Sequence, residues 1–341
     1  WLSRTRRHPT QRFALLLARL KEAVGATELG RIRSQLRCED TLLPLDSHVL
    51  AILVADLRHS SDPLRIARRI QHSLPGSIQT LAIALSESPW NQGRSMLEES
   101  QSRLDGPPGC SYLDPSLQKE AEERLELESS IGAALHQGQI LPHYQPIVSL
   151  RTGRIASFEA LARWQHPQLG LLYPEHFLSV AQDCGLLAEL DVCILAQSLE
   201  QLSLWQRLSD SPMRLSVNLS PDHFLKPEGL HRLLPVLEKY ASLVPQLRVD
   251  VSERVLHEPQ GLATLRELRH LKVGFHLDDF GVGPESFHCL NSFPFHSLKI
   301  DRSLICEMEE EVNAELIAAL LRIARRMKMR TIAEGLITHA Q

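Results

Sequence analysis

Acids, an amide and an amine recur at the ends of short apolar runs in the C-terminal part of the chain. Glu159 stands in FEALARW, Asn218 closes RLSVN, Glu253 follows LRVDVS, Asp278-Asp279 follow GFHL, Lys299 and Asp301 lie in SLKID, and Glu334 follows TIA. Any one of them, taken alone, ordinarily makes a turn. Six successive runs delivering such groups to a common rim is a different matter, because crowded carboxylates repel unless cations sit among them. Carboxylate and amide oxygens without a His or Cys cluster suit hard ions such as Mg²⁺ or Mn²⁺. The adjacent pair Asp278-Asp279 suits two ions, and two metals about 3.5–4 Å apart recur in phosphodiester hydrolysis. Lys299 is placed to hold an attacking water or to offset phosphate charge. The rim points to metal-assisted phosphoryl hydrolysis.

The elements that must position these groups follow from the pattern. Strands are expected over 141–150, 155–164, 214–220, 247–252, 273–279, 297–300 and 330–334, with helices over 186–205, 261–271 and 312–327 between them. Strands alternating with helices imply parallel βαβ units. Seven in series suggest a (β/α) barrel, whose chemistry sits at the C-terminal strand ends, although periodicity alone does not separate a barrel from an open sheet.

Upstream, the run 13–20 is too short for periodicity to decide between helix and strand. Residues 21–37 read as a helix, 48–57 and 81–85 as strands, and 93–104 as a helix. A helix is expected over 64–74, with Asp62 as its N-cap and Pro63 at its first position. Gly106-Pro107-Pro108-Gly109 breaks the pattern. Residues 115–136 then form a long charged helix whose Glu-rich first half reads as a solvated connector.

Composition narrows the classes. The 341 residues are 43% hydrophobic and 23% charged, with a formal net charge of -4, an ordinary globular balance without the basic field that gathers a nucleic-acid polymer. No apolar run reaches the ~18–20 residues of a membrane span. Six cysteines, at 38, 110, 184, 193, 289 and 306, form no CxxC pair and read as reduced, mostly buried thiols of a cytoplasmic protein. The chain opens Trp1-Leu2-Ser3-Arg4, with neither an initiator Met nor a signal-peptide pattern, and reads as part of something longer, with any membrane anchor upstream.

Several motifs in order are recognisable. Tyr144-Gln145-Pro146-Ile147-Val148, Phe158 to Trp164, Val217-Asn218-Leu219-Ser220, Ser252-Glu253, Asp278-Asp279-Phe280-Gly281, Leu298 to Ser303 and Ile332-Ala333-Glu334-Gly335 resemble those of EAL domains. The resemblance implies a TIM-like α/β barrel that cuts cyclic di-GMP to linear pGpG with two Mg²⁺ or Mn²⁺ ions per site. Carried over position by position, Glu159, Asn218, Glu253 and Asp278 would hold one metal. Asp278, Asp279 and Glu334 would hold the other. Lys299 would orient the nucleophilic water, making Lys299, Glu159 and Glu334 the catalytic set. Gln145, Leu161 and Arg163 would contact the dinucleotide, and a guanidinium suits a phosphate or a guanine edge. The family tendency and the charged helix point to a homodimer.

The N-terminal part resembles a shortened α/β GGDEF domain, which makes 13–20 its first strand. Asp46-Ser47-His48-Val49-Leu50 stands in place of the signature turn, and Arg19 and Lys21 in place of metal-binding acids. Without two glycines the backbone cannot approach a triphosphate, so no cyclase activity is expected. The expected organisation is a degenerate GGDEF-like domain over 1–114, a connector helix over 115–138 and an EAL barrel over 139–341, shorter than the ~250 residues of a complete barrel and lacking its last strand.

The altered segment after Asp279 and the eroded GGDEF-like half favour an alternative, a non-enzymatic cyclic di-GMP receptor or protein-interaction module. The segment after Asp279 reads Phe280-Gly281-Val282-Gly283-Pro284-Glu285-Ser286, where active members usually carry Thr and Tyr-Ser at the changed positions. Gln341 is not the Gln of the family's last strand. Asp279-Phe280-Gly281 also spells a kinase motif, but no HRD loop accompanies it. His143, His166 and His276 are expected to be packed or at the surface rather than ligands, and Trp164 to be a core anchor.

Overall fold

The computed structural model describes residues 12–86, 93–209, 211–280, 292–336 and 338; the side chains of Gly93, Arg94 and Asp279 lie outside that description. The altered segment 281–286 and Gln341 fall outside it too. The chain divides into two compact units, 1–130 and 131–341.

In the first unit, β1 (Ala14–Leu20), β2 (Thr41–Pro44), β3 (Val49–Val54), β4 (Ile78–Leu85) and β5 (Gly109–Tyr112) form one sheet in the order β2-β3-β1-β4-β5. Leu16, Leu50, Ile52, Leu81 and Ile83 are buried on it with Ile66 and Ile70 of α2 (Asp62–Ser73). β2 and β3 make a hairpin whose turn holds Asp46-Ser47-His48, with Asp46 Oδ1 accepting from the amides of His48 (2.7 Å) and Val49 (2.8 Å). The helix expected over 21–37 shrinks to α1 (Ala26–Arg33), because Gly25 carries extended backbone as its N-cap. Ser61, not Asp62, is the N-cap of α2, and the Asp62 carboxylate accepts instead from the amides of Arg58 and His59. The break at 106–109 leads into β5, which pairs in parallel with β4. α3 is Gly93–Leu104, as expected.

α4 (Pro115–His136) has the expected bounds but is no solvated connector in its first half. Ala121 is buried in the first unit's core, with Leu117 and Leu125 packed against it, because its apolar positions recur at helical spacing on one face.

The second unit is built on a curled sheet in the order β13-β12-β11-β10-β9-β7-β6, with β8 paired to β7. Its strands are β6 (Ile140–Val148), β7 (Ile155–His166), β8 (Gly170–Leu172), β9 (Leu215–Asn218), β10 (Leu247–Ser252), β11 (Gly274–Phe280), β12 (Ser297–Ile300) and β13 (Arg330–Ala333). From β7 through β13 the main path is parallel. The expectation of uniform βαβ alternation fails at its start, where β6 and β7 pair antiparallel. The connection 149–154 is too short for a crossover, which needs a dozen or more residues. Among the described residues the path is a half-barrel with β6 and β13 at its ends.

Helices α5 (Pro174–Asp183), α6 (Leu187–Leu208), α7 (Asp222–Leu225), α8 (Pro227–Lys239), α9 (Pro259–His270), α10 (Arg302–Cys306) and α11 (Glu311–Arg326) complete the unit. Apolar residues alternate along the strands, so Val217, Val249, Val251, Leu277 and Leu298 enter a continuous core while their neighbours turn to the opposite face. Trp205 of α6 packs its ring 4.7 Å from Tyr144 and 4.8 Å from Phe158, pinning β6 and β7. Trp164 is fully buried, as a core anchor should be. The cysteines depart from expectation: none of the five described is buried, and Cys38, Cys184 and Cys306 are exposed. Among the described residues no helix is long and apolar enough to cross a membrane.

Candidate functional site

Strand order and register bring the rim together. Gln145 on β6 lies opposite Glu159 on β7, Glu159 beside Ser216, Asn218 on β9 beside Asp250 on β10, and Ser252 beside Asp278 on β11. Lys299 pairs with Ile332 on the far side, and the Glu334 amide continues that ladder by donating to the Ile300 carbonyl at 3.2 Å. Period-two alternation then sends Glu159, Leu161 and Arg163 to one face of β7.

Lys299 is the centre of the arrangement. Its Nζ lies 2.7 Å from Glu334, 2.9 Å from Asp250, 3.2 Å from Glu159 and 3.3 Å from Asp278. It is 1% exposed. Burial alone would lower its pKa, but the four carboxylates, led by Asp250, hold it raised. Burial raises the pKa of Glu159 despite the nearby Lys299. Asp250 is buried too, yet Lys299 and then His276 keep its pKa lowered. Asn218 Nδ2 donates to Glu159 Oε1 at 2.9 Å, bridging β9 to β7.

The structure thus brings together Glu159, Asn218, Asp278, Lys299 and Glu334. Glu253 stands apart from the Lys299 contacts, at the first residue of a 3₁₀ turn over Glu253–His257, with Oε1 3.8 Å from His257 Nε2. Gln145 is exposed, while Leu161 and Arg163 are half-buried towards the carboxyl end of β7. Arg163 lies over the Tyr173 ring at 4.7 Å and donates to the Ala162 carbonyl at 2.8 Å. Asp279 is on β11, its side chain outside the described residues. Asp301 belongs to a turn and not to the site: it caps α10, its side chain accepting from the Ser303 amide at 2.9 Å.

Sequence reasoning missed Asp250 and the partner that His276 packs against. Asp250 Oδ1 lies 3.0 Å from His276 Nδ1, and both side chains are buried. His276 is packed, as expected, but packed against a carboxylate that touches Lys299. The available signal was the Asp inside the apolar run LRVDVS, since an aspartate is almost never fully buried without a partner.

Among the described residues no three His, Cys, Asp or Glu side chains are disposed around a metal position; the carboxylates converge on the Lys299 ammonium instead. Their chemistry still fits hard cations, since oxygens directed at one ammonium can equally be directed at Mg²⁺ or Mn²⁺. One more backbone feature shapes this edge. Gly335, next to Glu334, has φ +72°, and a Cβ there would run into the Arg302 side chain.

Comparison with known proteins follows the same division of the chain. The model of the EAL domain family matches residues 128–341. The bifunctional diguanylate cyclase/cyclic di-GMP phosphodiesterase MucR of Pseudomonas aeruginosa is 28% identical over 330 residues, covering 91% of this chain and 48% of its own. A solved structure of a PaMucR phosphodiesterase in complex with c-di-GMP is 32% identical, with a TM-score of 0.59 over 63% of this chain and 88% of that one. The S helix-GGDEF-EAL structure of Vibrio cholerae LapD, bound to c-di-GMP, shares the fold at 15% identity, with a TM-score of 0.59 over 96% of this chain and 84% of that one. The chain spans less than half the length of MucR.

Proposed function

The chain belongs to the EAL domain family, and on that premise we propose that its second unit hydrolyses cyclic di-GMP to linear pGpG. The observation that carries the reading is the convergence of Glu159, Asp278 and Glu334, from three separate strands or strand ends, on the buried Lys299. Such a cluster of carboxylates needs positive charge, and a bridging phosphodiester brings the complementary chemistry.

Glu159, Asn218, Glu253, Asp278, Asp279 and Glu334 would hold two Mg²⁺ or Mn²⁺ ions, which supply an acidified water and neutralise the phosphate oxygens. Lys299 orients the attacking water and offsets charge as it builds on the phosphate. Glu159 and Glu334 both contact the ammonium, at 3.2 Å and 2.7 Å. Gln145, Leu161 and Arg163 bind the dinucleotide along β6 and β7, where Arg163 is steadied by Tyr173. The water oxygen bonds to phosphorus, one ring P–O ester bond breaks, and the departing ribose oxygen takes up a proton. The product is the opened dinucleotide with one terminal phosphate.

The first unit is a GGDEF-like domain without cyclase activity in this reading. Its support is the mixed sheet, the fold likeness over nearly the whole chain and a hairpin turn that carries Asp46-Ser47-His48 without glycine. Its role is regulatory or dimerising. Val282, Pro284 and Glu285 favour a second reading, a barrel that binds cyclic di-GMP without cleaving it, since a Pro fixes φ and removes a donor.

Incubation of the full chain with cyclic di-GMP and Mg²⁺ or Mn²⁺, beside Glu159→Gln, decides between them. Linear pGpG from the parent and loss of that product in the variant is the expected result. Retained nucleotide binding with no product from the parent would establish the receptor reading instead.

A further inference from the structure

We infer that the amino-terminal end of the curled sheet, opposite the carboxylate rim, is an anion-binding site in which Arg214, Arg248, Arg330 and the hydroxyl of Ser216 take a phosphate group. The site is separate from the rim, and the inference stands whether or not the second unit hydrolyses cyclic di-GMP.

Strand alternation places these residues. Arg248 precedes Asp250 by two positions, Ser216 precedes Asn218 by two, Arg214 precedes Ser216 by two and Arg330 precedes Glu334 by four. All four side chains therefore leave the backbone on the face that carries the rim groups. The Arg214 carbonyl accepts from the Phe158 amide at 3.0 Å, so its backbone already belongs to the β7–β9 ladder. Four residues at about 3.3 Å each put Arg330 roughly 13 Å along the strand from Glu334. Arg248 is the register partner of Ser216 on one side and of Gly274 on the other. A Cβ at Gly274 would run into Cδ, Nε and Cζ of Arg248, so the missing side chain gives that guanidinium its place across β11. Burial, then the positive charges of Arg214 and Arg330, lower the pKa of Arg248. The three guanidinium groups are thus near enough to repel one another.

Little in the described residues answers that charge. Arg248 Nη1 donates to the carbonyls of Pro245 at 2.9 Å and Leu247 at 2.7 Å. Among the described residues, however, no carboxylate pairs with Arg214, Arg248 or Arg330. Arg330 is exposed and Arg214 and Arg248 are half-buried, so an ion reaches them from solvent. Ser216 is the independent sign of a ligand. It is 1% exposed, and its Oγ has no hydrogen-bond partner, which is unfavourable for a buried hydroxyl. That hydroxyl can donate to an oxyanion, and guanidinium forks match phosphate oxygens in pairs. One phosphate group satisfies the hydroxyl and offsets the repulsion together.

The test is the urea midpoint of the second unit in the full chain, followed by tryptophan fluorescence in a chelator at pH 7.5. Inorganic phosphate or glycerol phosphate is titrated against chloride at equal ionic strength. The chelator keeps cations off the rim, whose bare carboxylates repel phosphate. Phosphate also stabilises proteins generally by exclusion from their surface, a contribution that parent and variants share. Binding is the part of the response that the variants lose, and in the parent it follows mass action. Arg248→Gln and Gly274→Ala each weaken the apparent affinity by about tenfold, as expected for loss of a hydrogen bond to a charged group. Ser216→Ala weakens it by about threefold without lowering the midpoint in chloride, because its hydroxyl has no partner to lose. A phosphate response equal in the parent and in Arg248→Gln overturns the inference, as does a Ser216→Ala chain destabilised in chloride. If Arg248→Gln does not fold, Arg330→Gln, at an exposed position, takes its place under the same criterion. A response to inorganic phosphate alone identifies the free ion as the ligand, and a response to glycerol phosphate identifies a monoester terminus. A response to neither overturns the inference.

Discussion

Replacing Lys299 by Met removes the single cation that four carboxylates share while keeping its approximate length. At about 3 Å and an effective dielectric near 20, each contact is worth roughly 5 kcal/mol before offsets. Desolvation of the ammonium and repulsion among the acids cancel much of this. What remains when one partner of a buried ion pair is removed is about 3–5 kcal/mol. With a urea slope of about 2 kcal/mol per molar, the midpoint of the second unit falls by roughly 1.5–2.5 M. The measurement is urea denaturation in a chelator at pH 7.5, followed by fluorescence, since Trp164 and Trp205 both lie in this unit. The pH dependence has a definite sign. Burial already raises the folded pKa of Glu159 above its ordinary value, and removing Lys299 takes away the cation that opposes this. The folded variant then takes up protons before the unfolded chain does, so its deficit shrinks as pH falls from 7.5 to 5. Mn²⁺ at pH 7.5 also shrinks the deficit by replacing the missing charge. A variant as stable as the parent in chelator at pH 7.5, or a deficit that widens on acidification, would refute the reasoning.

Three further outcomes are expected. Gly335→Ala forces a side chain into φ +72° against Arg302; it costs about 1–3 kcal/mol, displaces the adjacent Glu334 and lowers turnover, as urea midpoints and initial rates can check. Burial, then Arg248, lower the pKa of His296 from 6.5 to about 4, and its Nδ1 accepts from the Phe275 amide at 3.2 Å. Its stabilising contribution is present above pH 6.5 and is lost as pH falls towards 4, so acid unfolding of His296→Asn should be flatter across that window. Trp205→Ala strips the ring that contacts Tyr144 and Phe158; the loss is about 2–4 kcal/mol for a partly buried ring, and a midpoint unchanged in urea would show that β6 and β7 are held by other contacts.

How far the site could be read ahead of the fold differs by residue. Asn218, Asp278, Lys299 and Glu334 lie at or near the ends of apolar runs long enough to be strands and Glu159 lies within one, and successive parallel strands bring such groups to one rim. Asp301 follows the same pattern and is a helix cap, because a side chain one position beyond a strand can fold back onto the next amides. The helices at 93–104 and 115–136 were plain in their spacing, while β2 and β5 were too short and too polar at their ends to stand out. The β6–β7 hairpin escaped because strand identity says nothing of strand direction; only the length of the connection does.

The linear sequence by itself determined the inventory: which apolar runs could be strands, and which acids and which lysine lie in or beside them. Each of these follows from local chemistry and period. Tertiary structure alone decided which charges meet. Asp250 and His276 are separated by a helix in sequence and become neighbours through β-sheet register; Lys299 and Glu159 are 140 residues apart and 3.2 Å apart in space. A buried ammonium persists only where several carboxylates converge, and convergence is a property of the curled sheet rather than of any one strand.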